Sequence, residues 1–235
     1  MSAEMAFGRW PSPITPGLMA KGGTRLAFPD VLSDGSLTWV ESRPAEGGRA
    51  VPVRRGHDGV PHDAIAAPYG ARSRVHEYGG RAPPAPPAGP DFVDPGDCRL
   101  LAAAGGRAPP PLRGAGGLRL AELVHDERRH RLLAVGEAPR EGGEPENGIV
   151  AISLRDGSVS WLARGHDFYA APALRADGTA LAFLAWDHPT MAWDAAALYL
   201  AAVSPDGALG APEKVAGDAN GAAFQPTWSP AGELY

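Results

Sequence analysis

The chain has 235 residues, with 22 Lys and Arg against 27 Asp and Glu for a net charge of −5, so it offers no electrostatic footprint for nucleic acid and no basic run for an anionic membrane. Its 31 glycines and 25 prolines sit just below the low-complexity range and fit a turn-rich all-β chain with one irregular segment. A lone Cys98 excludes an internal disulfide and a cysteine-based zinc site, and the absence of a signal-peptide pattern or a bilayer-length apolar run leads to an expected cytoplasmic location, with no membrane partner.

Residues 1–23 include Trp10-Pro11-Ser12-Pro13-Ile14-Thr15-Pro16, and prolines at this density predict an extended N-terminal segment kept out of helix. From residue 24 the chain becomes short apolar runs punctuated by Asp-Gly. A strand is expected near 25–31, a turn at Asp34-Gly35, strands over Leu37–Glu41 and Ala50–Arg54, a turn at Asp58-Gly59 and a last strand near 60–66. Asp-Gly supplies the positive φ of a tight hairpin, so this is a four-stranded antiparallel meander. A second unit should open at Arg72–Gly80. It then degrades over 81–117, because Arg81–Pro90 is nearly all Pro, Ala and Gly and Leu100–Gly117 is another such tract, with strand character only at Phe92-Val93-Asp94 and Cys98–Leu101.

The third unit takes strands over Leu120–Val124, Leu132–Val135, Ile149–Leu154 and Val159–Leu162, with turns at Asp126–Arg129 and Asp156-Gly157. The fourth runs from His166 through the Asp177-Gly178 turn and an apolar strand into Trp186-Asp187-His188-Pro189, then Ala197–Val203, a Ser204–Gly207 turn and a strand near 213–215. Pro172 lies six residues before Gly178; Pro29 before Gly35 and Pro226 before Gly232 keep the same offset. Repetition of such units predicts an all-β fold: a partial β-propeller of four-stranded antiparallel blades, about four plus the start of a fifth at Ala223. Residues 24–235 would form this incomplete propeller domain.

Several motifs resemble the N-terminal propeller of the prolyl-oligopeptidase family of serine peptidases, in its dipeptidyl-aminopeptidase and acylaminoacyl-peptidase-like branch. They are His76-Glu77-Tyr78-Gly79-Gly80, His166-Asp167-Phe168-Tyr169, Trp186-Asp187-His188-Pro189 with Trp193-Asp194, and Phe224–Pro230. The resemblance implies a following α/β-hydrolase domain holding a Ser, Asp and His triad, with the Ser on a Gly-x-Ser-x-Gly elbow. No serine here has Gly at both flanking positions, so the chain is expected to be inactive alone and to end before that domain. It would gate and help bind peptide substrates of the parent enzyme. The alternative is a free-standing TolB-like propeller that binds proteins.

Two groups are candidates for the substrate side. His76, Glu77 and Tyr78 stand where a carboxylate could pair with a peptide's N-terminal amine, or where Glu77 and Tyr78 simply brace a neighbouring blade. Trp186, Asp187, His188, Trp193 and Asp194 form a loop that either faces substrate or packs on itself. The pairs His57/His62 and His125/His130 lack His-Glu-x-x-His spacing and Cys partners, so no metal and no cofactor is expected.

Overall fold

The computed structural model describes residues 8–77 other than 10, 21 and 33, then 91–93, 100–102 and 117–235, with backbone alone at 20, 91–93 and 100–102. Before the first sheet comes a short helix, α1 (Pro16–Ala20), in the segment expected to be extended. Pro16 stands at its first position, where the missing N–H has no helical partner to lose. Thr15 caps it, accepting at Oγ1 from the Leu18 N–H at 3.1 Å.

Strands β1 (Arg25–Val31), β2 (Leu37–Arg43), β3 (Arg49–Arg55) and β4 (Pro61–Asp63) form the first blade in that order, antiparallel throughout. The last strand is shorter than expected. Residues 72–77, the described part of the stretch expected to open the next sheet, form loop and turn instead, with His76 and Glu77 at φ of 54° and 63°. The degraded second blade is represented by a two-stranded pair, β5 (Asp91–Val93) and β6 (Leu100–Ala102). Most of 81–117 lies outside the described residues.

Strands β7 (Arg119–Asp126), β8 (Arg131–Ala138), β9 (Glu146–Ser153) and β10 (Val159–Arg164) make the next blade. After them β11 (Phe168–Leu174), β12 (Ala180–Trp186), the helical turn α2 (Ala192–Ala195), β13 (Ala197–Ala202) and β14 (Glu213–Ala216) make another. Both are four-stranded meanders in chain order. A final hairpin has Trp228 opposite Leu234, with Thr227 and Tyr235 exchanging backbone hydrogen bonds at 3.0 and 2.9 Å. Pro226 and Pro230 remove donors that a longer ladder would need.

The turns repeat one piece of chemistry. Asp34, Asp156 and Asp177 each accept from both the backbone N–H and the hydroxyl of the Ser or Thr two residues on. The intervening glycine takes positive φ, which an L side chain rarely adopts. These turns fix the hairpin registers, and the registers place the apolar runs face to face.

Packing is not uniform. Strands β8, β9 and β12 are buried over nearly their whole length, with apolar side chains on both faces of their central residues. One core lies between the third and fourth blades, where Leu133, Val135, Ile149 and Ala151 meet Tyr169, Leu181 and Phe183. Each such large side chain contributes on the order of 1.5–3 kcal/mol through burial. Leu120, Leu132, Val150 and Ile152 fill the opposite face of the third blade, and Ala182, Leu184 and Leu198 receive Trp228 and Leu234 of the final hairpin. The first blade has its own small core of Val51, Val53, Ile65 and Ala71.

Candidate functional site

The loop over 71–77 leaves the first blade and reaches the third. Its start is tied to β3 by the Ala71 N–H on Ala50 O (2.8 Å), and Val75 is buried in the core between the third and fourth blades. At the far end the His76 N–H donates to Glu137 Oε2 at 2.8 Å. Glu137, on β8, is 2% exposed and also accepts from Arg119 Nη1 at 2.7 Å. The same Arg119 nitrogen reaches Glu77 Oε1 at 2.6 Å, while Arg74 Nη2 reaches Glu77 Oε2 at 2.9 Å. A buried carboxylate thus holds an arginine, and the arginine holds an exposed carboxylate in place.

These residues line one side of a cavity of about 310 Å³ whose other walls are Glu144, Pro145, Asn147, Asp167, Phe168 and His188. Among the described residues four carboxylates line it, and one guanidinium, that of Arg119. Arg74 and Arg119 hold the Glu77 carboxyl below the usual carboxylate range. Burial pushes His76 below the ordinary histidine value, against the pull of Glu137, so its imidazole is neutral at pH 7. Asn147 Nδ2 donates to Asp167 O at 2.8 Å.

The β11–β12 hairpin completes the wall through a reciprocal pairing. His166 Nδ1 meets Asp187 Oδ2 at 2.8 Å, and His188 Nδ1 meets Asp167 Oδ2 at 3.1 Å. Asp187 also accepts the Asp167 N–H, and Asp167 accepts the His188 N–H. The His-Asp at 166–167 and the Asp-His at 187–188 therefore lock across the hairpin mouth. Donors from His188 hold the Asp167 carboxyl low. Phe168 stands opposite Trp186 in register, stacks on it at 5.3 Å, and turns its ring edgewise to His76 at 5.2 Å.

Of the residues singled out in the sequence, His76, Glu77 and His188 line the cavity together, although more than a hundred positions separate the first two from the third. Trp186 and Asp187 stand behind it, the first backing Phe168 and the second holding His166. Trp193 is 73% exposed, and Asp194 accepts the Met191 N–H at 3.2 Å at the start of α2; neither lines the cavity. Tyr78 lies outside the described residues. Sequence reasoning missed Arg119, Glu137, Glu144, Asn147, Asp167 and Phe168 as cavity residues. The available signal was Glu137, a charge directly after the apolar run Leu132–Val135 and Gly136.

A larger cavity of about 390 Å³ is lined by Arg54, Gly56, His57, Asp58 and His62. Its side chains satisfy each other locally: Arg54 on Asp34 and Ser36, His57 on Asp34 O, His62 on Asp58. Nothing converges on its interior, so it is the weaker candidate. Among the described residues no group of three or more His, Cys, Asp or Glu is arranged to hold a metal, and no helix is long and apolar enough to cross a membrane.

No family model and no curated protein matches the chain. Solved structures do. A puromycin hydrolase matches with a TM-score of 0.85 at 34% identity over 99% of this chain and 38% of its own. A Mycobacterium tuberculosis puromycin-hydrolyzing peptidase matches with a TM-score of 0.80 at 34% identity over 97% of this chain and 37% of its own. The chain thus spans less than two fifths of the length of these peptidases. A putative TolB from Agrobacterium tumefaciens, with a TM-score of 0.61 at 15% identity over 87% of this chain and 70% of its own, shares the fold alone. With its motifs, its consecutive four-stranded blades and this likeness to the puromycin-hydrolyzing peptidases, the chain belongs with the β-propeller of the prolyl-oligopeptidase family.

Proposed function

We propose that this propeller is a non-catalytic part of a serine peptidase, and that it gates and helps bind peptide substrates for a hydrolase domain of the α/β type. The observation that carries the reading is the convergence of Glu77, Glu137, Glu144 and Asp167 with Phe168, His76 and His188 on one cavity, with Arg119 in its wall and Arg74 behind Glu77 as the cations that offset the acids among the described residues. An excess of carboxylates beside aromatic faces suits an ammonium group, through ion pairing and through attraction of the cation to the ring faces. The N-terminal amine of a short peptide is such a group. Nothing in this chain has the form of a nucleophile elbow, so bond cleavage belongs to another part of the enzyme. The compartment proposed is the cytoplasm, where a single unpaired Cys98 stays reduced.

The test is titration of the chain with Gly-Phe-Gly and with its N-acetylated form, followed by NMR. The free-amine peptide should shift His76, Glu77, Phe168 and His188 together, the acetylated one should not bind, and Glu77→Gln should weaken binding roughly tenfold. Equal binding of the two peptides, or shifts confined to residues away from this cavity, would sink the proposal.

A further inference from the structure

Each of the three four-stranded blades carries the same irregularity on its first strand. The pairing register slips between Ala27 and Asp30 in β1, between Ala121 and Val124 in β7, and between Ala170 and Ala173 in β11. Within each slip sits a non-glycine residue in the left-handed region: Phe28 at φ 54°, Glu122 at 57° and Ala171 at 50°. Gln225 repeats it at 52° ahead of the final hairpin. Phe28, Ala171 and Gln225 each precede the glycine of their turn, at 35, 178 and 232, by seven residues, and Glu122 precedes Arg129 of its turn by the same interval. These are equivalent positions in successive blades, and the extra residue of a bulge re-aims its side chain.

At one seam the consequence is visible. Glu122 Oε2, on the bulge of the third blade, accepts the backbone N–H of Ala171, the bulge residue of the fourth. At the next seam the corresponding elements also meet, since Ala170, Ala171 and Ala173 belong to one cluster with Ala223, Trp228 and Leu234, and Trp228 Nε1 donates to Ala173 O at 2.9 Å. There the position equivalent to Glu122 is Ala171, whose methyl accepts nothing. Among the described residues the Gln225 N–H has no hydrogen-bond acceptor. The two seams also differ in how charge is used. The third and fourth blades are joined by Arg129 and Arg131 on four carbonyls and by Glu122, whereas from the fourth blade the Arg175 guanidinium lies over the Trp228 ring at 5.7 Å and, among the described residues, no charged side chain hydrogen-bonds across to 223–235.

We infer that the left-handed bulge residue is a latch position, whose side chain can hold the bulge amide of the following blade, and that Ala171 leaves the seam after the fourth blade unlatched, so that this seam opens before the one between the third and fourth blades. A seam that opens beside β11 would also loosen the hairpin that walls the cavity, although the latch stands independently of what the cavity binds.

Residue-resolved hydrogen exchange on the whole chain tests this, with core amides of Leu133 and Ile149 as the reference for global unfolding. In the unaltered protein the Ala171 amide should be protected and residues 223–235 should exchange faster than β12. Glu122→Ala should speed exchange at Ala171 about tenfold relative to the core, and Glu122→Gln, which keeps an acceptor, should restore most of the protection. Ala171→Gln should slow the Gln225 amide about tenfold, because a hydrogen bond of ordinary net strength is gained. Unchanged exchange at Ala171 in Glu122→Ala, or at Gln225 in Ala171→Gln, would overturn the inference. Failure of Ala171→Gln to fold would overturn it too, because Glu and Gln already occupy this backbone conformation at 122 and 225.

Discussion

Replacing Asp126 by Asn should unfasten the third blade from the fourth. Asp126 ends β7 and is 1% exposed. Its carboxylate accepts from Arg129 Nη1 at 3.0 and 3.2 Å and from Arg131 Nε at 2.8 Å, and both guanidiniums are themselves largely buried. The remaining donors of the two arginines reach into the fourth blade: Arg129 to Gly178 O, Ser204 O and Pro205 O at 3.1, 2.9 and 3.4 Å, and Arg131 to Gly207 O at 2.8 Å. Two turns of one blade are therefore clamped by two cations of its neighbour, and one carboxylate neutralises both. Removing that charge leaves a pair of buried cations side by side. Breaking a buried ion pair from one side costs about 3–5 kcal/mol. For a domain of this size that is a fall in Tm of roughly 6–20 °C.

Urea denaturation followed by tryptophan fluorescence, with calorimetry for Tm, measures it. The triple replacement Asp126→Leu, Arg129→Met, Arg131→Leu should recover much of the loss, since no buried charge is then left unpaired. A loss under about 1 kcal/mol for Asp126→Asn would show that solvent reaches the clamp and that the reasoning from burial is wrong.

Stability should fall in two steps on acidification. Buried His76 lies below the ordinary histidine value, so the unfolded chain takes up a proton first; the stability its neutral form confers is complete above about pH 6.5 and shrinks as pH falls toward the folded value. The carboxylates held low, Glu77 and Asp63 among them together with Asp156, which is lowered to about 2, stabilise the fold above their unfolded values and lose that contribution as pH falls below about 4–5. Urea midpoints at pH 8, 6, 5 and 4 resolve the steps, and His76→Phe should abolish only the upper one; a profile flat from pH 8 to 5 would contradict this. Trp193→Ala should shift stability by less than about 0.5 kcal/mol, because the side chain is solvated, while Trp186→Ala, 6% exposed and stacked on Phe168, should cost about 3–5 kcal/mol in the same assay. Comparable losses in the two would refute the burial assignment.

The blades were legible because turn chemistry is local. Asp34-Gly35, Asp156-Gly157 and Asp177-Gly178 announce hairpins, and the apolar runs between them have strand length, so the third and fourth blades are where the pattern places them. Short-range signals failed where a local rule has an exception. Pro16 suggested extended chain, yet it is compatible with the first turn of a helix, and Thr15 supplies the cap. His76 and Glu77 looked like a strand because their left-handed backbone is imposed from outside, by Glu137 sixty-one residues away. The cavity was only half legible for the same reason. Its motif residues at 76–77 and 188 stand out by composition, but Arg119, Glu137 and Asn147 are single polar residues on ordinary strands, and only the stacking of blades brings them to one place.

The central claim is that this propeller contributes binding and access to a peptidase but no attacking group. Treating the purified chain with a fluorophosphonate probe, with intact-mass detection, tests it most directly. The account predicts no adduct at any serine and no turnover of aminoacyl peptides. A stoichiometric adduct on a serine of this chain, abolished by substituting that serine, would contradict it.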